Sequence, residues 1–104
     1  MGELQAEIAA WISATFPHST TSGLIQHFRE EVAELIEELE VQEPDEQNLR
    51  EECADVMHFL FQIAGRHGFD LMEETRRKFE INKTRTWAAS DDGIVRHVKP
   101  EASV

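Results

Sequence analysis

Residues 46–67, EQNLREECADVMHFLFQIAGRH, constrain the fold more than any other segment. At about 100° per residue, Leu49, Cys53, Val56, Met57, Phe59, Leu60, Phe61, Ile63 and Ala64 cover most of the circumference of a helix. A helix apolar nearly all round is buried on more than one side. A chain of 104 residues has one modest core, and its other short helices cannot easily supply that cover alone. The segment therefore predicts an all-α, four-helix bundle with this helix central, completed by oligomerisation. Cys53, the one cysteine of the chain, reads within this run as a buried small side chain. A lone cysteine cannot staple the fold, which suits a reducing cytosol.

Three further helices are predicted around it. Leu4, Ile8, Trp11 and Ile12 set a helix over about 3–15, broken by FPHSTTSG (16–23), whose hydroxyls offer N-caps. Leu24, Ile25, Phe28, Val32, Leu35, Ile36 and Leu39 form one apolar stripe of a helix over about 22–41. Pro44 stops it and Asp45 caps the central helix, which Gly68 closes as a left-handed C-terminal residue. Asp70 and Glu73 open a fourth helix in the manner of a capping box, running to about Thr86. The tail carries an Asp92-Gly93 turn signal, and GIVRHV (93–98) reads as a short strand or a docked segment. The domain reading is a catalytic helical domain over 1–87 and a tail over 88–104.

Charge narrows the function. Ten Lys and Arg face 21 Asp and Glu, a formal charge of −11. Such a surface repels bare phosphates, which argues against nucleic-acid polymers and anionic membranes as partners. No apolar run approaches a membrane span, and the N-terminus lacks the basic-then-apolar pattern of a signal peptide, so a cytoplasmic protein is expected. A phosphate-bearing substrate would need a metal to bring it in.

The acids themselves supply one. Glu31 lies one turn from both Phe28 and Leu35, with Glu34 beside it; Glu52 lies between Leu49 and Val56, with Asp55 at the edge of the arc. Each helix thus aims carboxylates toward its packed side. Two carboxylates ~4 Å apart repel by ~4 kcal/mol at an effective dielectric of about 20. Four of them need cations or protons, and all-oxygen ligation suits Mg²⁺ or Mn²⁺ rather than zinc. Glu-x-x-Glu also recurs at 34/37, 37/40 and 40/43, and such runs are usually solvated faces. The 52/55 pair, set among apolar neighbours, is the more specific signal. On the fourth helix, Leu71, Thr75, Lys78, Asn82 and Arg85 share one stripe, small or apolar at first and Lys, Asn, Arg at its end. Lys78 and Arg85 there either snorkel to pair with acids or meet phosphate oxygens. Trp11, Phe16, His18, His27, His58 and Phe59 are the side chains able to stack on or hydrogen-bond a nucleobase, against the commoner role of packing.

EEVAEL (30–35), EECADV (51–56) and KFEINKTRTW (78–87) together resemble the MazG-like all-α nucleoside triphosphate pyrophosphohydrolases. All three motifs occur in order, and LQAEIAAWISATFP and DDGIVRHV extend the resemblance to the short dATP/dGTP diphosphohydrolase branch. The resemblance implies hydrolysis of nucleoside triphosphates, favouring purine dNTPs, to monophosphate and pyrophosphate. It assigns Glu31, Glu34, Glu52 and Asp55 as Mg²⁺ ligands, with Glu30 behind them or as an accessory; Glu31 is the candidate that also orients the attacking water. The resemblance assigns Lys78, Asn82 and Arg85 to holding the phosphates or closing the site, and a homodimer or homotetramer as the assembly. Metal bound by such acids screens the triphosphate, polarises its α-phosphoryl group and lowers the pKa of water. Two other classes fit the same helices: a non-catalytic module binding nucleotide or protein, and a structural bundle with solvated acids.

Overall fold

The computed structural model describes residues 2–99. The described chain comprises four helices, α1 (Glu3–Thr15), α2 (Thr21–Glu40), α3 (Glu46–His67) and α4 (Leu71–Thr84), then two strands, β1 (Thr86–Ala89) and β2 (Val95–Val98). It divides into two compact units, Met1–Leu71 and Met72–Val104. None of the described helices is long and apolar enough to cross a membrane.

In the first unit α3 packs against both α1 and α2. Side-chain caps set the helix starts: Thr20 accepts from Gly23 N at 3.0 Å, and Asp45 from Asn48 N at 3.0 Å. Glu38 of α2 accepts from Asp45 N at 2.8 Å and so fixes the α2–α3 turn. Gly68, at φ 72°, ends α3 in the left-handed conformation and donates its N–H to the Ala64 and Gly65 carbonyls. Gln5 of α1 is buried and holds the next turn with both ends of its amide. It donates to Phe69 O at 2.7 Å and accepts from Leu71 N at 2.9 Å. A methyl group built on Gly65 would come 3.5 Å from Ala9 Cβ, so α1 lies closely on α3 there.

Those contacts limit the cover that α1 gives. Gln5 meets Phe69 and Ala9 meets Gly65, so thirteen-residue α1 lies along the second half of 22-residue α3. Cys53, expected to be buried, is exposed because it lies in the first half, beyond that reach. Among the described apolar residues only Leu24, Phe61 and Ala64 are buried.

The second unit corrects two boundaries. α4 ends at Thr84 rather than near Thr86, and Thr86–Ala89, expected to be helix and tail, is a strand. It pairs antiparallel with β2, Trp87 opposite His97. Side chains help close the helix end. Thr84 Oγ1 donates to Ile81 O at 2.7 Å, and Asn82 O accepts both the Trp87 indole N–H at 2.9 Å and the Arg85 backbone N–H at 3.2 Å. The hairpin turn holds Gly93 at φ 79°. Asp92 accepts from Ser90 Oγ and Ile94 N, and Arg96 reaches both Ser90 and Asp92. All four residues of β1 are exposed, so the segment carries no alternating pattern.

Candidate metal centre and adjoining cleft

α2 and α3 bring three of the predicted acids together. One carboxylate oxygen each from Glu31, Glu52 and Asp55 lies within 4.8 Å of the other two. The Glu31 side chain is only 15% exposed. Burial, then the Glu34 and Asp55 carboxylates, push the Glu31 carboxyl above its ordinary pKa. Burial, then Glu34 and Glu31, do the same to Glu52. Glu34 is exposed and outside the group of three, though its charge adds to both shifts. Glu30 is exposed and accepts from Gln26 Nε2 at 3.3 Å.

Glu31 Oε2 and Glu52 Oε2 are buried and have no hydrogen-bond partner among the described residues. A buried carboxylate oxygen with neither donor nor cation is strongly disfavoured. Converging oxygens with no nitrogen or sulfur among them form a donor set for a hard divalent ion. The residues therefore fit the metal that the motifs imply.

His27 links this centre to a cleft. Its Nε2 lies 3.4 Å from Glu31 Oε1, one helical turn away on α2. Its ring meets Phe59 edge-on at 4.7 Å between centroids. The cleft, about 800 Å³, opens between α1, α2 and α3. All six nucleobase candidates, Trp11, Phe16, His18, His27, His58 and Phe59, line it. The sequence left them between packing and a nucleobase, and Trp11 and Phe16 also pack on each other, in edge contact at 5.4 Å between centroids. Gln62 lines the same cleft and was not singled out from the sequence. Its place seven residues after Asp55, on the same helical face, was the available signal.

The second unit holds the basic stripe. Lys78 is exposed; Asn82 and Arg85 are half-buried. Arg85 Nη1 donates to Asn82 Oδ1 at 3.4 Å, and within this unit neither Lys78 nor Arg85 pairs with an acid. The snorkelling-and-pairing alternative thus finds no partner there. His97, inside the DDGIVRHV segment but not singled out from the sequence, feels the same cations. Burial first, then Arg85, Lys99 and Lys78, hold its imidazole below the ordinary value.

Comparison with known proteins identifies the family. The profile of the dATP/dGTP pyrophosphohydrolase family matches residues 4–104. The dATP/dGTP diphosphohydrolase of Cyanophage S-2L is 39% identical over 98 residues, covering 94% of this chain and 88% of that protein. A solved structure of the Cyanophage S-2L MazG-like pyrophosphohydrolase, bound to dGDP and three catalytic Mn²⁺ ions per active site, superposes with a TM-score of 0.72. It is 37% identical, and the match covers 95% of this chain and 93% of that one. With ordered acidic motifs, four helices and a family match over nearly its whole length, the chain belongs to the dATP/dGTP pyrophosphohydrolase family and is a MazG-like nucleotide pyrophosphohydrolase.

Proposed function

We propose that the protein hydrolyses purine deoxynucleoside triphosphates to the monophosphate and pyrophosphate, with Mg²⁺ as the working ion and Mn²⁺ able to replace it. The observation that carries this reading is the convergence of Glu31, Glu52 and Asp55 with two orphaned carboxylate oxygens. Glu34, whose charge acts on both Glu31 and Glu52, completes the ligand set. Ions bound there would offset the substrate's charge against a protein of −11, polarise the α-phosphoryl group and acidify water.

The chain's own groups do the rest. Glu31 orients the attacking water through its unpartnered Oε2 and takes up a proton, and Glu30 is an accessory. Water attacks the α-phosphorus, the bond to the oxygen bridging toward the β-phosphorus breaks, and pyrophosphate leaves. Lys78, Asn82 and Arg85 hold phosphate oxygens, Arg85 with a planar fork and Lys78 with a point charge. The base enters the aromatic cleft, whose member His27 touches the acid centre. These residues all lie within 1–87, the catalytic part, with 88–104 as a tail, and the dNTP pool places the reaction in the cytoplasm.

The working assembly in this reading is a homodimer or homotetramer. Ile25, Ile36 and Leu39 stand along one side of α2, 47%, 46% and 60% exposed. The first half of α3 lacks the cover α1 gives the second, and Cys53 is exposed there. A second copy would cover both, and a monomer at micromolar concentration by light scattering would refute it.

The deciding assay presents the common NTPs and dNTPs with Mg²⁺ or Mn²⁺, with and without EDTA. Nucleotide products are separated and pyrophosphate is measured. Purine dNMP plus pyrophosphate, abolished by EDTA, is the expected result. Metal and nucleotide binding without turnover would favour the non-catalytic binding module instead.

A further inference from the structure

The acid centre and the cleft share one face of α3. Asp55, Phe59 and Gln62 stand at i, i+4 and i+7, which at 3.6 residues per turn is a single stripe two turns long. Asp55 belongs to the three-carboxylate group, Phe59 forms cleft wall, and Gln62 lies about 10 Å along the axis from Asp55 at 1.5 Å per residue. That is the reach from the α-phosphate of a nucleotide to the far edge of its base. A nucleotide with its α-phosphate at the acids and its base against Phe59 brings that edge to Gln62.

Three of the other polar side chains of the cleft suit the task less well. Ser19 Oγ is taken by Arg66 Nη2 at 2.6 Å. His27 is engaged with Glu31. Glu7 is exposed, and an ionised carboxylate only accepts. Gln62 is half-buried on the central helix, and its amide makes no hydrogen bond to another described residue. An amide carries a donor and an acceptor side by side, and rotation by half a turn exchanges them. Adenine offers an amino donor at C6 beside the N1 acceptor; guanine offers an O6 acceptor beside an N1–H donor. One glutamine therefore pairs with either purine, by opposite orientations.

We propose that Gln62 is the residue that reads the purine edge, and that its reversible amide lets one site take both adenine and guanine nucleotides. This rests on the purine dNTP reading above. The test is kcat/KM for dATP and for dGTP in the wild type, Gln62→Met and Gln62→Leu. Mn²⁺ affinity is measured by calorimetry without nucleotide, and thermal melts report folding. The expected result is a fall of about tenfold or more for both purines, the scale of one or two lost hydrogen bonds, with Mn²⁺ affinity and melting unchanged. Unchanged kinetics for both purines, or a loss confined to one of them, overturns the assignment while leaving the hydrolase reading intact. No purine turnover by the wild type overturns that reading and this assignment with it.

Discussion

The two units handle charge in opposite ways. In the α4–hairpin unit, opposite charges alternate and neutralise locally. Arg77 Nη2 lies 2.7 Å from Glu74, Lys83 2.8 Å from Glu80, and Arg96 3.3 Å from Asp92. Arg76 and Lys83 also lie over the Phe79 ring. Around α2 and α3, like charges converge instead, and two carboxylate oxygens are buried without a partner. Exposed pairs contribute little, about 0–1 kcal/mol each. Converging acids oppose folding unless something binds them. The half-buried acids of one unit, and Lys78 with Arg85, which find no acid within the other, are therefore places to look for function.

The sharpest way to break this contrast is to substitute one uncompensated group from each unit. Glu52→Ala removes a proposed oxygen ligand and a half-buried charge together. Turnover should fall by more than about 100-fold, beyond the 10–100-fold typical of groups that merely support a ligand. Calorimetry should show Mn²⁺ binding lost while circular dichroism keeps the helices. Full activity in Glu52→Ala would mean that the acids are only a repulsive cluster. Lys78→Ala should act more mildly and on a different quantity. It should raise KM or lower kcat by about tenfold, the scale of one charge-assisted contact, and leave Mn²⁺ affinity unchanged. Unaltered kinetics would return α4 to the role of scaffold and erase the contrast between its paired and unpaired bases.

The same division governs what the sequence could reveal. Helix ends set by local chemistry were legible: Thr20 and Asp45 cap as their hydroxyl and carboxylate allow, and Gly68 adopts the conformation other residues avoid. The acid centre was legible because two i, i+3 pairs on adjacent helices project from fixed faces. β1 was not. Its four residues are exposed on both faces, and its strand character comes from pairing with Val95–Val98 and from the Trp87 indole closing α4. Gln62 and His97 owe their surroundings to tertiary neighbours, the cleft and the basic stripe; DDGIVRHV contains His97 but does not reveal those neighbours. Cys53 was misjudged because composition says that α3 is apolar all round but not how far α1 extends along it.

The smallest expected effect is on the metal-free fold, and its sign separates the two units. Burial and like-charged neighbours raise the Glu31 and Glu52 carboxyls in the folded state. Between the ordinary carboxylate pKa and the raised one, the folded chain binds more protons than the unfolded chain. Stability contributed by these groups therefore falls as pH rises through that window, and the full penalty persists above it. Asp92 behaves oppositely: Ser90 first, then Ile94 N and Arg96, hold it below its ordinary value, so its contribution is present above the ordinary pKa and lost as pH falls through the lowered one. At neutral pH in EDTA, Glu52→Gln should therefore raise the melting temperature by a few degrees, whereas Asp92→Asn should lower it slightly. Mn²⁺ should reverse the first comparison, stabilising the wild type by about 2.7 kcal/mol at a hundred times its dissociation constant and the Glu52→Gln variant much less. A metal-free wild type that melts no lower than Glu52→Gln would show the carboxylates already compensated within the fold, and the acid centre would then differ from the α4 ion pairs only in being buried.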